Sequence, residues 1–403
     1  MPFHVPYRET TFLQNFDAST LAYIPMQRLC YCFIVFLIFP VNVGALPEAA
    51  EIEKRIEAAF GTIEHNGEGI IVSIDLARDR ASATDDLIRA ALSVPSLKRF
   101  RLACGNAAAE SLAGLTKQRE IEDLYLQDIP IHDADWKPLL EEHPKLARLT
   151  LRRLPHLSDA ELAVLPRRIP ALRNLALIEM ELSGEALAEI AKSETLTALD
   201  VRNCSHLIAE DYRWLTSMPK LADLKIGGFS ITDDVLMTVA SCRFLRGLTI
   251  DDALITPAGF EKFTENFSSA ETLEMFVFNR TSTLFDHSLL SLKKFPNLKR
   301  LTVNGMMVTG SFLEYLAEDE ATRPKLQRLS LRKAFVSEAG IAALKKYPEL
   351  RNLDLSGVAL SPELMEIIIS LNFLEELDVT GCGLDETSFQ RLKSHPSLKR
   401  LTR

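Results

Sequence analysis

From residue 71 onward the chain repeats one pattern, L-x-x-L-x-L, with apolar residues at positions 1, 4 and 6 and mostly polar ones between. The copies are IVSIDL (71–76), LKRFRL (97–102), IEDLYL (121–126), LARLTL (146–151), LRNLAL (172–177), LTALDV (196–201) and LADLKI (221–226). They continue as LRGLTI (245–250), LEMFVF (273–278), LKRLTV (298–303), LQRLSL (326–331), LRNLDL (350–355), LEELDV (374–379) and LKRLTR (398–403). Successive starts lie 24 to 28 residues apart, a solenoid period. Alternation at positions 4 and 6 predicts a short strand in each unit.

Between the ladders the apolar spacing changes to three and four, which predicts helices. SDAELAVL (158–165), TDDVLMTV (232–239), SEAGIAAL (337–344) and SPELMEII (361–368) each open on a Ser or Thr suited to capping free amides. Ser158 and Glu161 have the spacing of a capping box. Pro257 and Pro362 follow Thr256 and Ser361 at the first helical position, where the missing amide costs nothing. Each unit is therefore a strand, a turn, a helix and a return.

This chain resembles the leucine-rich-repeat proteins over about residues 70–403, and its helix-bearing units with LDVRNC resemble the ribonuclease-inhibitor-like and cysteine-containing branches. The resemblance implies an α/β solenoid of about 13–14 repeats, a curved horseshoe with a parallel sheet on the concave face and helices on the convex face. It implies a binding surface for proteins or other ligands and does not name the partner.

The first 69 residues read differently. Gln27-Arg28 precede an apolar run, LCYCFIVFLIFPV (29–41), and Val43-Gly44-Ala45 supplies small residues. That is the arrangement of a signal peptide cleaved near Ala45. Residues 1–45 are then a leader, and an uncleaved membrane anchor is the alternative; the true start is either Met1 or Met26. The expected destination is secreted, or the cell envelope or periplasm. Residues 46–69 form a capping region, with an amphipathic helix over PEAAEIEKRIEAAF (47–60) that places Ile52, Ile56 and Phe60 on one side.

Charge and cysteine content narrow the function. A net charge of -9 argues against a nucleic-acid partner, which would call for a basic face. Cys204 and His206 in LTALDVRNCSHL suggest chemistry, yet Cys204 lies eight residues past its ladder start. Other units carry Ile129, Leu154, Met180, Phe229, Ala253, Met306, Ala334, Val358 and Cys382 there, which predicts a core position. His206 is expected in solvent. Cys204 and Cys382 share a register seven units apart, roughly 30 Å at the strand spacing, so they are not a bridge. No metal-ligand spacing or nucleophile motif occurs, so no metal, cofactor or catalytic residue is expected.

The candidate chemistry is thus a surface. Positions 3 and 5 point out of the sheet, with position 7 close by. This places Tyr125, Arg148, Arg152, Asp200, Arg202, Lys225, Met275, Arg300, Arg328, Arg332, Asp354, Glu376 and Asp378 on the concave face. Arg148 with Arg152 forms one basic zone, and Arg300, Arg328 and Arg332 a second. Asp354, Glu376 and Asp378 form an acidic zone beside the second, and the centre is small or apolar. The expected function is a non-enzymatic recognition scaffold, exported, that binds a protein or a surface polymer. An intracellular adaptor or effector is the alternative.

Overall fold

The computed structural model describes residues 47–140 and 143–403. The leader with its apolar run, its Met26 start and the cleavage position at Ala45 lies outside the described residues. From Glu51 to Arg403 the chain is one compact unit.

Every L-x-x-L-x-L from 71 onward becomes a strand, and the described strands form one 15-stranded sheet in strict chain order. All after the first pair in parallel with identical register, so each position of the pattern abuts its counterpart in the next unit. Positions 4 and 6 are buried in unit after unit, as at Leu124 and Leu126 or Leu175 and Leu177. In LEMFVF these positions are Phe276 and Phe278, whose rings lie 4.3 Å apart and pack on Phe260 from the preceding helix. The core is therefore a column of such rungs between sheet and helices.

The N-terminal end departs from expectation in two ways. Helix Pro47–Ala58 buries Ile52 and Ile56, but Phe60 is 63% exposed. The helix ends at Ala58, and Phe60 takes a left-handed backbone (φ 60°) that turns it away from that side. Strand Thr62–His65 then pairs antiparallel with Ile71–Leu76, an element the repeat pattern could not announce. Asn66-Gly67 was its signal. The Asn66 carboxamide oxygen accepts the Glu68 and Ile70 amides, and Gly69 supplies a positive φ.

In the eleven units from Asp128 to Gly381, position 8 reverses the chain with a left-handed residue. Gly228, Gly305, Gly357 and Gly381 do this freely, whereas Asp128, Arg153, Glu179, Asn203, Asp252, Arg280 and Lys333 do it with side chains. For residues other than glycine, asparagine and aspartate, that conformation costs roughly 1–2 kcal/mol.

The helices start where the hydroxyls predict. Ser158, Thr256, Ser337 and Ser361 accept from the third amide onward; Thr232 occupies the cap position without that bond. The Ser158–Glu161 box is half formed. The Ser158 amide donates instead to Asp133 of the preceding unit at 2.8 Å, and the Glu161 carboxylate pairs with Arg168 and Lys137. Asp159 receives the Ser183 amide and Asp233 the Thr256 amide in the same way. In these three units a carboxylate at the first helical position thus pins the unit to the next.

Cys204 and Cys382 are buried as expected, and both thiols donate to a backbone carbonyl one unit back, of Leu177 and Leu355 respectively. Phe229 is not buried. It is 76% exposed, and the apolar residue of its loop that enters the core is Ile231. Thr281, out of pattern as a polar residue at this position, is nonetheless buried.

Candidate functional site

Positions 3 and 5 of the strands line the open face of the sheet, and three zones along it differ in how their charges are used. In the first, the guanidinium groups are already committed. Arg99 lies 3.3 Å from Glu64 and 3.5 Å from Asp123, and Arg148 lies 3.8 Å from Asp123. Arg101 sits 3.4 Å from Asp75 and stacks 4.2 Å over the Tyr125 ring. Arg152 donates twice to one Glu179 oxygen, and Arg153 bridges Glu179 and Asp128. Hydrogen bonds from Arg153 hold the Asp128 carboxyl below its usual range. Burial pushes Glu179 up, but Arg153 and Arg152 outweigh it and leave its pKa lowered. The zone named for Arg148 and Arg152 is close to self-neutralised.

In the middle zone Asp200, expected to point into solvent, is 6% exposed. Arg202 clamps it through Nε at 2.9 Å and Nη2 at 2.8 Å, and reaches Asp251 with Nη1 at 2.6 Å. Burial opposes the Arg202 charge, yet the two carboxylates more than offset it and raise its pKa above the ordinary arginine value. Asp200 and Arg202 are therefore internal fasteners more than free contacts. Beside them burial raises the Asp223 carboxyl, Lys225 opposes that shift and Asp200 reinforces it. Gly247 keeps the floor low here, since a Cβ on it would fall 2.9 Å from the Met275 methyl.

The third zone is a groove of about 390 Å³ over the last six strands. Register sets its two walls. Along one run Met275, Arg300, Arg328, Asn352, Glu376 and Arg400, each opposite the next. Along the other run Val277, Thr302, Ser330, Asp354, Asp378 and Thr402. Asp354 is oriented by the Ser356 amide at 3.0 Å and by Ser330 at 3.0 Å, while Arg332 stands 3.7 Å away. Asp378 accepts the Thr380 amide, and the Asn352 carboxamide donates to Glu376. Arg300, Arg328 and Arg400 are exposed and have no ion pair among the described residues.

Of the expected surface residues, Met275, Arg300, Arg328, Asp354, Glu376 and Asp378 thus converge on one groove, with Arg332 at its edge. Tyr125, Arg148 and Arg152 lie in the first zone, and Asp200, Arg202 and Lys225 in the second. Arg400 was missed. It is position 3 of LKRLTR, the same register that flagged Arg328, and it stands between Lys399 and Arg403. Those two are paired, with Glu375 and Glu386, and Arg400 is not.

The residues that suggested chemistry do not assemble a site. Burial pushes the Cys204 thiol up to about 12, whereas a nucleophile needs a lowered value. His206 is exposed, and among the described residues no three potential metal ligands come together.

Among solved structures, a chain of the Rad7–Elc1 complex from yeast is similar, with a TM-score of 0.55 and 17% identity, over 95% of this chain and 99% of that one. An internalin from Listeria monocytogenes aligns with a TM-score of 0.40 and 17% identity, over 88% of this chain and 94% of that one. No protein-family model matches, and no curated protein matches. The fold is a leucine-rich-repeat solenoid.

Proposed function

We propose that the chain is a non-enzymatic recognition scaffold whose C-terminal groove holds a protein. The observation that carries this reading is the unpaired arginine row. Arg300 and Arg328 are directly opposed in adjacent strands with no carboxylate partner, although this chain pairs most arginines on the same face. Like charges set opposite each other weaken a sheet, so their retention needs a compensating use. An acidic stretch of a partner supplies it, with basic groups meeting Asp354 and Asp378. Met275 and Val277 provide an apolar end, as interfaces commonly do. The similar yeast chain was itself crystallised in a complex with another protein, which is consistent with a protein partner in preference to a surface polymer.

Export to the cell envelope or beyond is part of the proposal and rests on the leader sequence alone. Among the described residues no helix is long and apolar enough to cross a membrane. The intracellular adaptor differs in one observable: sequencing the N-terminus of the mature chain gives a start near Leu46 for export and an intact Met1 or Met26 for the adaptor. The ribonuclease-inhibitor-like branch is likewise proposed, supported by the helices between strands and by Cys204 and Cys382 in one register.

The groove is tested by capture from native extract with the wild-type chain and with an Arg300→Glu/Arg328→Glu variant. Loss of the captured protein from a variant with unchanged thermal unfolding supports the reading. Retention of the same protein at the same yield contradicts it.

A further inference from the structure

Five successive units each leave one large apolar side chain in water on the loop between strand and helix. These are Phe229, Leu254, Phe285, Met307 and Phe335, from 46% exposed at Phe285 to 76% at Phe229. None lines the groove. Their loops are stacked and mutually bonded: the Leu254 amide donates to Ile231, the Thr283 hydroxyl to Ile255, the Thr309 amide to Asp286 and the Phe335 amide to Val308. At the sheet spacing the stripe is roughly 20 Å long. Side chains of these sizes and exposures present on the order of 500 Å² of apolar surface, a patch size that marks an interaction site on a soluble protein.

We infer that this stripe is a self-association surface, covered by the same stripe of a second copy of the chain running the opposite way. A two-fold interface requires a surface that is complementary to itself when reversed. The order aromatic, aliphatic, aromatic, aliphatic, aromatic reads identically from either end. With the axis at Phe285, Leu254 faces Met307 and Phe229 faces Phe335. One unit further out, exposed Ile208 falls opposite exposed Ala359.

The flanking charges agree with this pairing. Arg280, beside the axis, would meet its own copy, and it is neutralised within its chain by two bonds to Asp252 at 2.7 and 2.6 Å. Lys333, near Phe335, is exposed and unpaired among the described residues, and the opposite end of the stripe carries exposed Asp234. The apolar stripe together with these flanks approaches the roughly 800 Å² per partner of a standard interface.

Sedimentation of the full chain across the micromolar range tests the inference. The wild type is expected as a concentration-dependent dimer, and Met307→Glu/Phe335→Glu is expected to weaken self-association at least about tenfold with an unchanged unfolding midpoint. Phe285→Cys should give a disulfide-linked dimer under mild oxidation, whereas Phe244→Cys, equally accessible on the loop between helix and next strand, should not. A wild type monomeric throughout, a double variant that still dimerises, or no cross-link at Phe285 overturns the inference.

Discussion

Arg300 and Arg328 stand directly opposite each other on neighbouring parallel strands, both exposed and neither with an ion-pair partner among the described residues. On the earlier strands of the same face the chain answers arginine with carboxylate, as at Arg101 and Asp75 or Arg152 and Glu179. The exception is a local electrostatic cost located in a groove.

That cost is measurable without any partner. Arg328→Thr should raise stability by about 0.2–1 kcal/mol by removing a cross-strand repulsion and placing a strand-favouring residue there. Urea denaturation at low ionic strength checks it. The gain should shrink near 1 M salt, where screening falls to a few ångströms. A loss of stability at low salt would mean that the pair does not repel.

Arg202 should behave in the opposite way. Removing it by Arg202→Ala leaves Asp200 and Asp251 buried, adjacent and unpaired, at a cost of about 3–5 kcal/mol. Denaturant unfolding of the variant tests this, and adding Asp251→Asn should recover part of the loss. A variant within about 1 kcal/mol of wild type would show the clamp to be superficial.

The buried thiols make stability depend on pH in the alkaline range. Burial raises Cys204 and Cys242 to about 12 from a model-compound value of 9.0. The unfolded chain then releases these protons at lower pH than the folded one. Their contribution is intact below pH 9 and is lost as pH rises towards 12. Unfolding free energy should fall more steeply across that window in wild type than in Cys204→Ala/Cys242→Ala. Parallel curves would contradict the burial argument.

The left-handed row after the strands yields a contrast between two residues of the same position. Lys333 adopts φ 55° without an ion pair among the described residues, so Lys333→Gly should stabilise by roughly 0.5 kcal/mol, the strain relieved less the added chain entropy. Arg153, at φ 49°, bridges Asp128 and Glu179, so Arg153→Gly should destabilise despite the same relief. Paired thermal melts decide whether side-chain bonding outweighs backbone strain at Arg153.

These cases also show which features were written locally in the chain. A period of 24 to 28 residues places each strand after residue 70, because burial at positions 4 and 6 admits one register. The hydroxyl caps follow from local amide chemistry and were legible at Ser158, Thr256, Ser337 and Ser361. What escaped depended on neighbours one unit away. Nothing local says that the Ser158 amide will choose Asp133 over Glu161, or that Arg202 will bend onto Asp200 and submerge it. Phe229 escaped because the apolar pattern cannot tell it from the buried Met180 or Met306 at the same position. The groove was half legible: the pattern put Arg300, Arg328, Asp354 and Asp378 on one face, but only pairing distances separate them from the neutralised arginines of the first strands.

The central claim, that the groove holds a charged protein partner, is tested most directly by titrating the isolated partner into the chain by calorimetry at two salt concentrations. Wild type is compared with Arg300→Glu/Arg328→Glu. Affinity for the variant should fall at least about tenfold, with a weaker salt dependence, because steering and contact by the arginine row are lost together. Equal affinity and an equal salt dependence for the two proteins would place the partner elsewhere on the molecule.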